Sequence, residues 1–264
     1  LNMICKNESA VIVDCLKSVA DFIDAFIICD TGSTDNTIEL IEATLHNKHG
    51  HVVKHNWIDF ETNRNLALKE VKKVWGGDTY VLFIDADATL ELTRPIDEIK
   101  ADLKWSAYNV PVHYAGLEYE RPCLAKLSAI NGWVGVVHEY LDVNVTTANI
   151  DGLIIHDACR GARSQDPEKY AKDVATLTAA ISNPELEEGL RRRYTFYLAQ
   201  SCKDAGNLFD ALIWYRRRAL MGGWQDEVYV SWLSIGKVMT DRNEDYHDIM
   251  NAYMHAYQTD KSRG

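Results

Sequence analysis

Proline is scarce, five in 264 residues, and no apolar run reaches the length of a membrane span. A spanning helix needs about 20 consecutive apolar residues, so a membrane span is not expected, and no signal peptide is visible. Cysteine is present but unorganised: Cys5, Cys15, Cys29, Cys123, Cys159 and Cys202 are widely spaced, with no Cys-x-x-Cys pair. That spacing argues against a disulfide framework or a zinc site and for reduced core thiols in a reducing compartment, the cytoplasm. Positive charge is in short supply, with 28 Lys and Arg against 39 Asp and Glu and a formal net charge of −11. Nucleic acid as a partner is disfavoured, because binding to a phosphate backbone runs on a surplus of Lys and Arg. Glycine-rich phosphate loops are missing too. Neither Gly-x-Gly-x-x-Gly nor Gly-x-x-x-x-Gly-Lys-Ser/Thr occurs, so a dinucleotide site or a P-loop is not supported.

What is present is apolar residue in quantity, 47%, enough for a sizeable core in one large domain or a domain with an appendage. The first hundred residues alternate short apolar runs with helical periodicity, the pattern of βαβ units. Strands are expected at Leu1 to Cys5, Ala25 to Cys29, His51 to His55 and Tyr80 to Ile84. Helices are expected behind Ser9 (Ile12, Leu16, Val19 on one face), behind Thr37 (Ile38, Ile41, Leu45) and over Thr62 to Trp75, where Gly76-Gly77 is the stop signal. From Pro95 the rhythm changes. One amphipathic helix (Ile96, Ile99, Leu103) is followed by alternating or aromatic-rich segments at Ala107 to Tyr114, Tyr119 to Leu127, Trp133 to Leu141 and Leu153 to His156. They predict an antiparallel or mixed extension of the sheet. Asp157 to Asp166, with Arg160, Gly161 and Arg163, lacks periodicity and reads as a mobile, partly basic loop.

Beyond Pro167 the pattern is helical. Segments are expected at Tyr194 to Gln200, Phe209 to Met221, Val228 to Met239 and Asp245 to Tyr257, with Asp204-Ala205-Gly206-Asn207 as a tight turn. Ala211, Tyr215 and Ala219 are echoed by Ile249, Tyr253 and Tyr257, which is the recurrence a helical repeat of the tetratricopeptide sort would show. The expected organisation is an α/β domain over residues 1–160 and a helical region over residues 167–264.

Chemistry-bearing residues gather at strand ends and loops of the α/β part, which a parallel sheet collects on one edge. They are Asn7 and Glu8, the loop Asp30 to Thr37, Thr62-Asn63-Arg64-Asn65, and Asp85-Ala86-Asp87 after Phe83-Ile84. An Asp-x-Asp at the carboxyl edge of a sheet suits a divalent cation that shares its oxygen ligands with a substrate's phosphates.

Lys-Asn-Glu, then Asp-Thr-Gly-Ser-Thr-Asp-Asn-Thr, then Asn-Arg-Asn-Leu-Ala-Leu, then Phe-Ile-Asp-Ala-Asp, in that order, resemble the family 2 glycosyltransferases of the GT-A fold. The similarity covers roughly the first ninety residues closely and continues through Trp133 to Tyr140. The segments Arg193 to Ser201 and Trp214 to Ala219 resemble the tetratricopeptide-like tail of one branch of that family. The resemblance implies a mostly parallel GT-A sheet with an antiparallel extension and an all-α, repeat-like C-terminal region. It also implies an inverting transfer of a sugar from a nucleotide-sugar, a UDP-sugar being favoured, with Mn²⁺ or Mg²⁺ on the diphosphate.

Carried over residue by residue, Asp87 is the direct metal ligand and Asp85 faces the ribose or a metal-bound water. Asn7, Glu8 and Asp30 border the nucleoside, and Arg64 pairs with the Asp-x-Asp or the diphosphate. Thr31 stands where many members carry a second Asp that reads the base, which leaves the base open. Glu139 is the candidate catalytic base, with Asp157 as the fallback; His156, or else His138, completes the metal shell. Trp133 is the aromatic expected to stack on a sugar or acceptor, and Arg160 and Arg163 are expected to form a lid. A saccharide, lipid-linked glycan, peptide or modified nucleobase remains open as acceptor. The competing reading is a catalytically silent GT-A scaffold carrying a helical-repeat binding module.

Overall fold

The computed structural model describes residues 1–263; residue 264, which closes the expected helical region, lies outside the described residues. The chain divides into two compact units, Leu1–Gly135 with Glu139–Asp166, and Val136–His138 with the chain from Pro167 onward.

The first unit opens as β1 (Asn2–Cys5), α1 (Ile12–Val19), β2 (Ala25–Asp30), α2 (Thr37–Thr44), β3 (His49–Lys54), α3 (Phe60–Val74) and β4 (Tyr80–Leu82). β2 lies between β1 and β3 and is parallel to both, and a parallel bridge from Asn2 to Phe83 carries the order on to the strand that contains β4. Ile27 and Ile28, adjacent on β2 and both fully buried, pack into different clusters: Ile28 with Ile12, Leu16 and Val19 of α1, Ile27 with Ala67, Leu68 and Val71 of α3. Successive strand side chains point to opposite faces, so the sheet is covered on both, and its strands read as apolar runs rather than alternating ones. α3 begins earlier than the apolar period suggests, because the Asp59 side chain caps it by accepting the Thr62 N–H at 2.7 Å.

The chain continues through β5 (Ala88–Leu92), α4 (Ile96–Ala101), β6 (Ala107–Tyr114), β7 (Leu117–Lys126), β8 (Ile130–Val134), β9 (Tyr140–Val143), β10 (Ala148–Asn149) and β11 (Leu153–Asp157). β4, β7, β6, β11 and β5 pair in that order. The β4/β7, β7/β6 and β11/β5 pairs are antiparallel and β6/β11 is parallel, which is the mixed extension expected from the change of rhythm. The expected strand from Trp133 to Leu141 is instead an antiparallel hairpin, β8 and β9, broken at Gly135 with φ 117°. β5, directly after the Asp pair, was not signalled by the sequence.

The second unit contains α5 (Lys169–Ile181), α6 (Glu188–Asp204), α7 (Leu208–Leu220), α8 (Gln225–Asp241) and α9 (Tyr246–Thr259), each packed on the next. Leu177, Tyr194, Leu198, Tyr215, Ile235 and Ala252 are in its core. The turn between α6 and α7 is the predicted one, with Gly206 at φ 79° and the Asn207 side chain capping α7. α5 was missed. Among the described residues no helix is long and apolar enough to cross a membrane.

Candidate active site

The carboxyl ends of β1, β2 and β4 deliver three of the expected groups to one edge. After β1 the chain turns at Asn7 (φ 56°), and Asn7 and Glu8 are clasped by the loop after β2. The Asn7 N–H donates to Ser33 Oγ at 2.9 Å, Asn7 Oδ1 accepts from the Thr34 N–H at 2.7 Å, and the Glu8 N–H donates to Thr37 Oγ1 at 2.8 Å. Asp30 is buried, and its carboxylate accepts the N–H groups of Gly32 and Ser33, each at 3.1 Å. It therefore shapes the turn, the common role of an Asp that bonds its own backbone two residues on. A direct nucleoside contact from Asp30, as read from the sequence, would have to compete with both amides.

Asp85 and Asp87, one residue apart, have opposite surroundings. Asp85 accepts from Arg64 Nη2 at 2.5 Å through one oxygen and from Arg121 Nη2 at 3.1 Å through the other. Arg64, in the first turns of α3, also donates through Nε to Glu139 at 2.6 Å, and its guanidinium lies 4.6 Å from the centre of the Trp133 ring. Burial alone would raise the Asp85 pKa, but the guanidiniums of Arg64 and Arg121 outweigh it and hold the carboxyl well below the usual carboxylate range. Glu139 is positioned through α3 as well. Asn65 clamps β8 by accepting the Trp133 N–H at 2.9 Å and donating to its carbonyl at 2.8 Å, and Glu61 accepts the Gly135 N–H at 2.7 Å.

Among the described residues no arginine pairs with Asp87. Its carboxylate accepts the Gly161 N–H at 2.8 Å, and Glu8 beside it accepts the Ala162 N–H at 3.1 Å. A Cβ on Gly161 would stand 2.8 Å from Asp87 Oδ2 and 3.1 Å from Glu8 Oε2, so the loop comes this near only through a glycine. Burial pushes Glu8 up to about 7, against the opposing Ala162 amide and with the charges of Asp87, Asp35 and Asp85 adding to it. Burial likewise raises Asp87, which the Gly161 amide opposes and the charges of Asp157 and Asp85 reinforce. Asp157 ends β11 and accepts the Cys159 N–H at 3.0 Å.

Three expected roles do not match the geometry. Trp133 is 7% exposed, and its ring face carries Arg64 rather than lying open to a sugar. His156 is not brought to Asp87. It precedes Asp157 on the strand and so points to the other face of the sheet, where Nε2 lies 2.6 Å from Glu91 Oε2 and the ring meets His113 edge-on at 5.0 Å. His138 belongs to the helical unit, where its ring stacks on Tyr197 at 3.9 Å and its carbonyl accepts from Arg193 at 2.8 Å. Sequence reasoning missed Arg121 and the amides of Gly161 and Ala162. Arg163 of the expected lid sits 4.7 Å over the Phe60 ring, while Arg160 is exposed.

The chemistry of the donor set fits a hard divalent cation. Asp87, Glu8 and Asp157 offer oxygen alone, and such ions commonly take one or two protein carboxylates and draw the rest from phosphate and water. Among the described residues no group of three or more His, Cys, Asp or Glu forms a complete cage. A cation here would therefore be held by Asp87, with Glu8 or Asp157 beside it, and completed by substrate.

Residues 2–94 match the family model described as Glycosyl transferase family 2. That span contains the Asp30 loop, Arg64 and the Asp85-Asp87 pair, and in it the chain is similar to the glycosyltransferase domains that the model describes. Among solved structures the chain is similar to S. aureus TarS 1-349 in complex with UDP-GlcNAc, at 14% identity and a TM-score of 0.46, over 99% of this chain and 90% of that one. It is also similar to a longer S. aureus TarS structure, at 14% identity and a TM-score of 0.45, over 98% of this chain and 52% of that one. The chain thus spans about half the length of that longer TarS chain.

Proposed function

We propose that the chain is an inverting, metal-dependent glycosyltransferase that takes a sugar from a nucleotide-sugar, with a UDP-sugar the first donor to test. The carrying observation is the unneutralised pair Asp87 and Glu8 beside the neutralised network of Asp85, Arg64 and Glu139. Carboxylates whose ionisation is opposed by burial and by one another make a seat that a cation would relieve. Bound there, Mn²⁺ or Mg²⁺ would supply charge stabilisation to the departing diphosphate. The chain's own part is to fix geometry. Asn7 and Glu8 border the nucleoside, the Asp30 turn holds their partner loop, and Arg64 orients Glu139 by one oxygen. Glu139 is the proposed base for the acceptor's proton, with Asp157 as the second candidate.

The helical unit is proposed as a tetratricopeptide-like acceptor-selecting region, for a saccharide, lipid-linked glycan, peptide or modified nucleobase. Domain limits of 1–160 and 167–264 are proposed with it. A reducing, cytoplasmic location is proposed from the wide spacing of the six cysteines. A thermal-shift panel of nucleotide-sugars with Mn²⁺, on the native protein and on Asp87→Ala, tests this reading. A donor shift that needs Mn²⁺ and disappears with Asp87 is expected. The same shift in both proteins would remove Asp87 from the metal role, and no shift with any donor would favour the silent-scaffold reading.

A further inference from the structure

The resemblance gives Arg64 the Asp-x-Asp or the diphosphate as its partner, and the structure engages it with the Asp-x-Asp. Its side chain is 9% exposed, Nε is on Glu139, Nη2 is on Asp85, and Trp133 covers its face. A diphosphate entering a site that already holds Glu8, Asp85, Asp87, Asp157 and Glu139 needs a cation from the protein as well as a metal. Arg160 is exposed on its loop and Arg163 sits on Phe60.

Arg121 differs from all of these. It projects from β7, where the strand's alternation sets it on the same face as Tyr119. Its side chain is 34% exposed and pairs with one carboxylate, Asp85, at 3.1 Å. Its Nε is enclosed and, among the described residues, has no hydrogen-bond partner. A guanidinium is a planar fork whose N–H groups match phosphate oxygens, and the exposed third of this side chain, rather than the enclosed Nε, is what a ligand can meet. Asp85 therefore holds two arginines for different ends: Arg64 is consumed in fixing Glu139, and Arg121 is oriented with donor capacity to spare.

We propose that Arg121 is the protein cation that binds the phosphoryl oxygens of the nucleotide-sugar's diphosphate, an assignment that rests on the nucleotide-sugar reading above. Arg121 is then a residue that discriminates donors by their phosphates and is indifferent to the base. The test is calorimetric titration, with Mn²⁺ present, of the best-binding member of UDP, CDP, GDP and ADP, of inorganic pyrophosphate, and of the matching nucleoside. Native protein, Arg121→Met and Arg121→Lys are compared, with the unfolding temperature of each recorded.

Arg121→Met is expected to weaken the nucleoside diphosphate and pyrophosphate by on the order of 10- to 100-fold, the worth of a charged hydrogen bond, while leaving the nucleoside unchanged. Arg121→Lys keeps the charge without the fork and is expected to recover part of the loss. The lysine variant also carries the test if the methionine variant does not fold. Diphosphate and pyrophosphate affinities within twofold of native in Arg121→Met would overturn the proposal. So would a loss of all ligands, nucleoside included, together with a lowered unfolding temperature, which is the signature of a structural arginine. Failure of the native protein to bind any of the diphosphates would instead sink the nucleotide-sugar reading itself.

Discussion

The two sides of the candidate site solve the problem of buried charge in opposite ways. On the side of Asp85, carboxylates and guanidiniums alternate from Glu139 through Arg64 and Asp85 to Arg121. On the side of Asp87 and Glu8 the carboxylates meet only backbone amides, from Gly161 and Ala162. The first arrangement balances its own charges and positions what it contains. The second keeps a charge deficit that a bound cation can fill. An Asp-x-Asp pair is therefore not two equivalent ligands: which of the two is functional depends on which arginines reach it.

The largest effect that would break this contrast is on stability. Arg64→Met leaves Asp85 and Glu139 without their shared partner, and breaking one member of such a buried pair is expected to cost about 3 kcal/mol in denaturant unfolding. A cost below about 0.5 kcal/mol would mean that the network does not hold the site together.

Gly161→Ala comes next. Its Cβ would press on Asp87 and Glu8, at an expected cost of about 1 kcal/mol, with faster amide exchange at residues 161 and 162. Unchanged exchange at those amides would show that the loop is not held by the two carboxylates.

Glu8→Gln gives the smallest and most pH-dependent effect. The folded protein holds the Glu8 proton up to about 7, against an ordinary value near 4.5. Its contribution to stability is thus present below the ordinary value and is lost as pH rises through the folded one. The glutamine variant should match the native protein near pH 4 and exceed it at pH 8, by on the order of 1 kcal/mol once solvent screening of a half-buried group is allowed for. A gap that widens toward low pH would reverse the electrostatic assignment.

The order of motifs along the first ninety residues was legible because each lies where an apolar run stops, and a parallel sheet collects such ends on one edge. Asp85, Asp87, Arg64 and Glu8 are brought together on that account. What was not legible depends on strand parity and on backbone. His156 and Asp157 are neighbours on β11, so only one of them can share a face with Asp87, and pairing register decides which. Arg121 is one of two basic residues of β7, and nothing local connects it to an Asp 36 positions earlier. The Gly161 and Ala162 contacts are made by amides, which every residue carries, and the only trace in the sequence is the glycine itself. Trp133 was expected to stack on a ligand, whereas Asn65 clamps its strand to α3 and the ring is buried.

Binding of Mn²⁺ in the presence of UDP, followed by electron paramagnetic resonance on the native protein, Asp87→Asn and His156→Gln, tests the central claim most directly. The account predicts one ion per chain in the native protein and in His156→Gln, and its loss in Asp87→Asn with the unfolding temperature unchanged or raised. Retention of the ion in Asp87→Asn, or its loss in His156→Gln, would contradict the assignment of Asp87 as the cation seat.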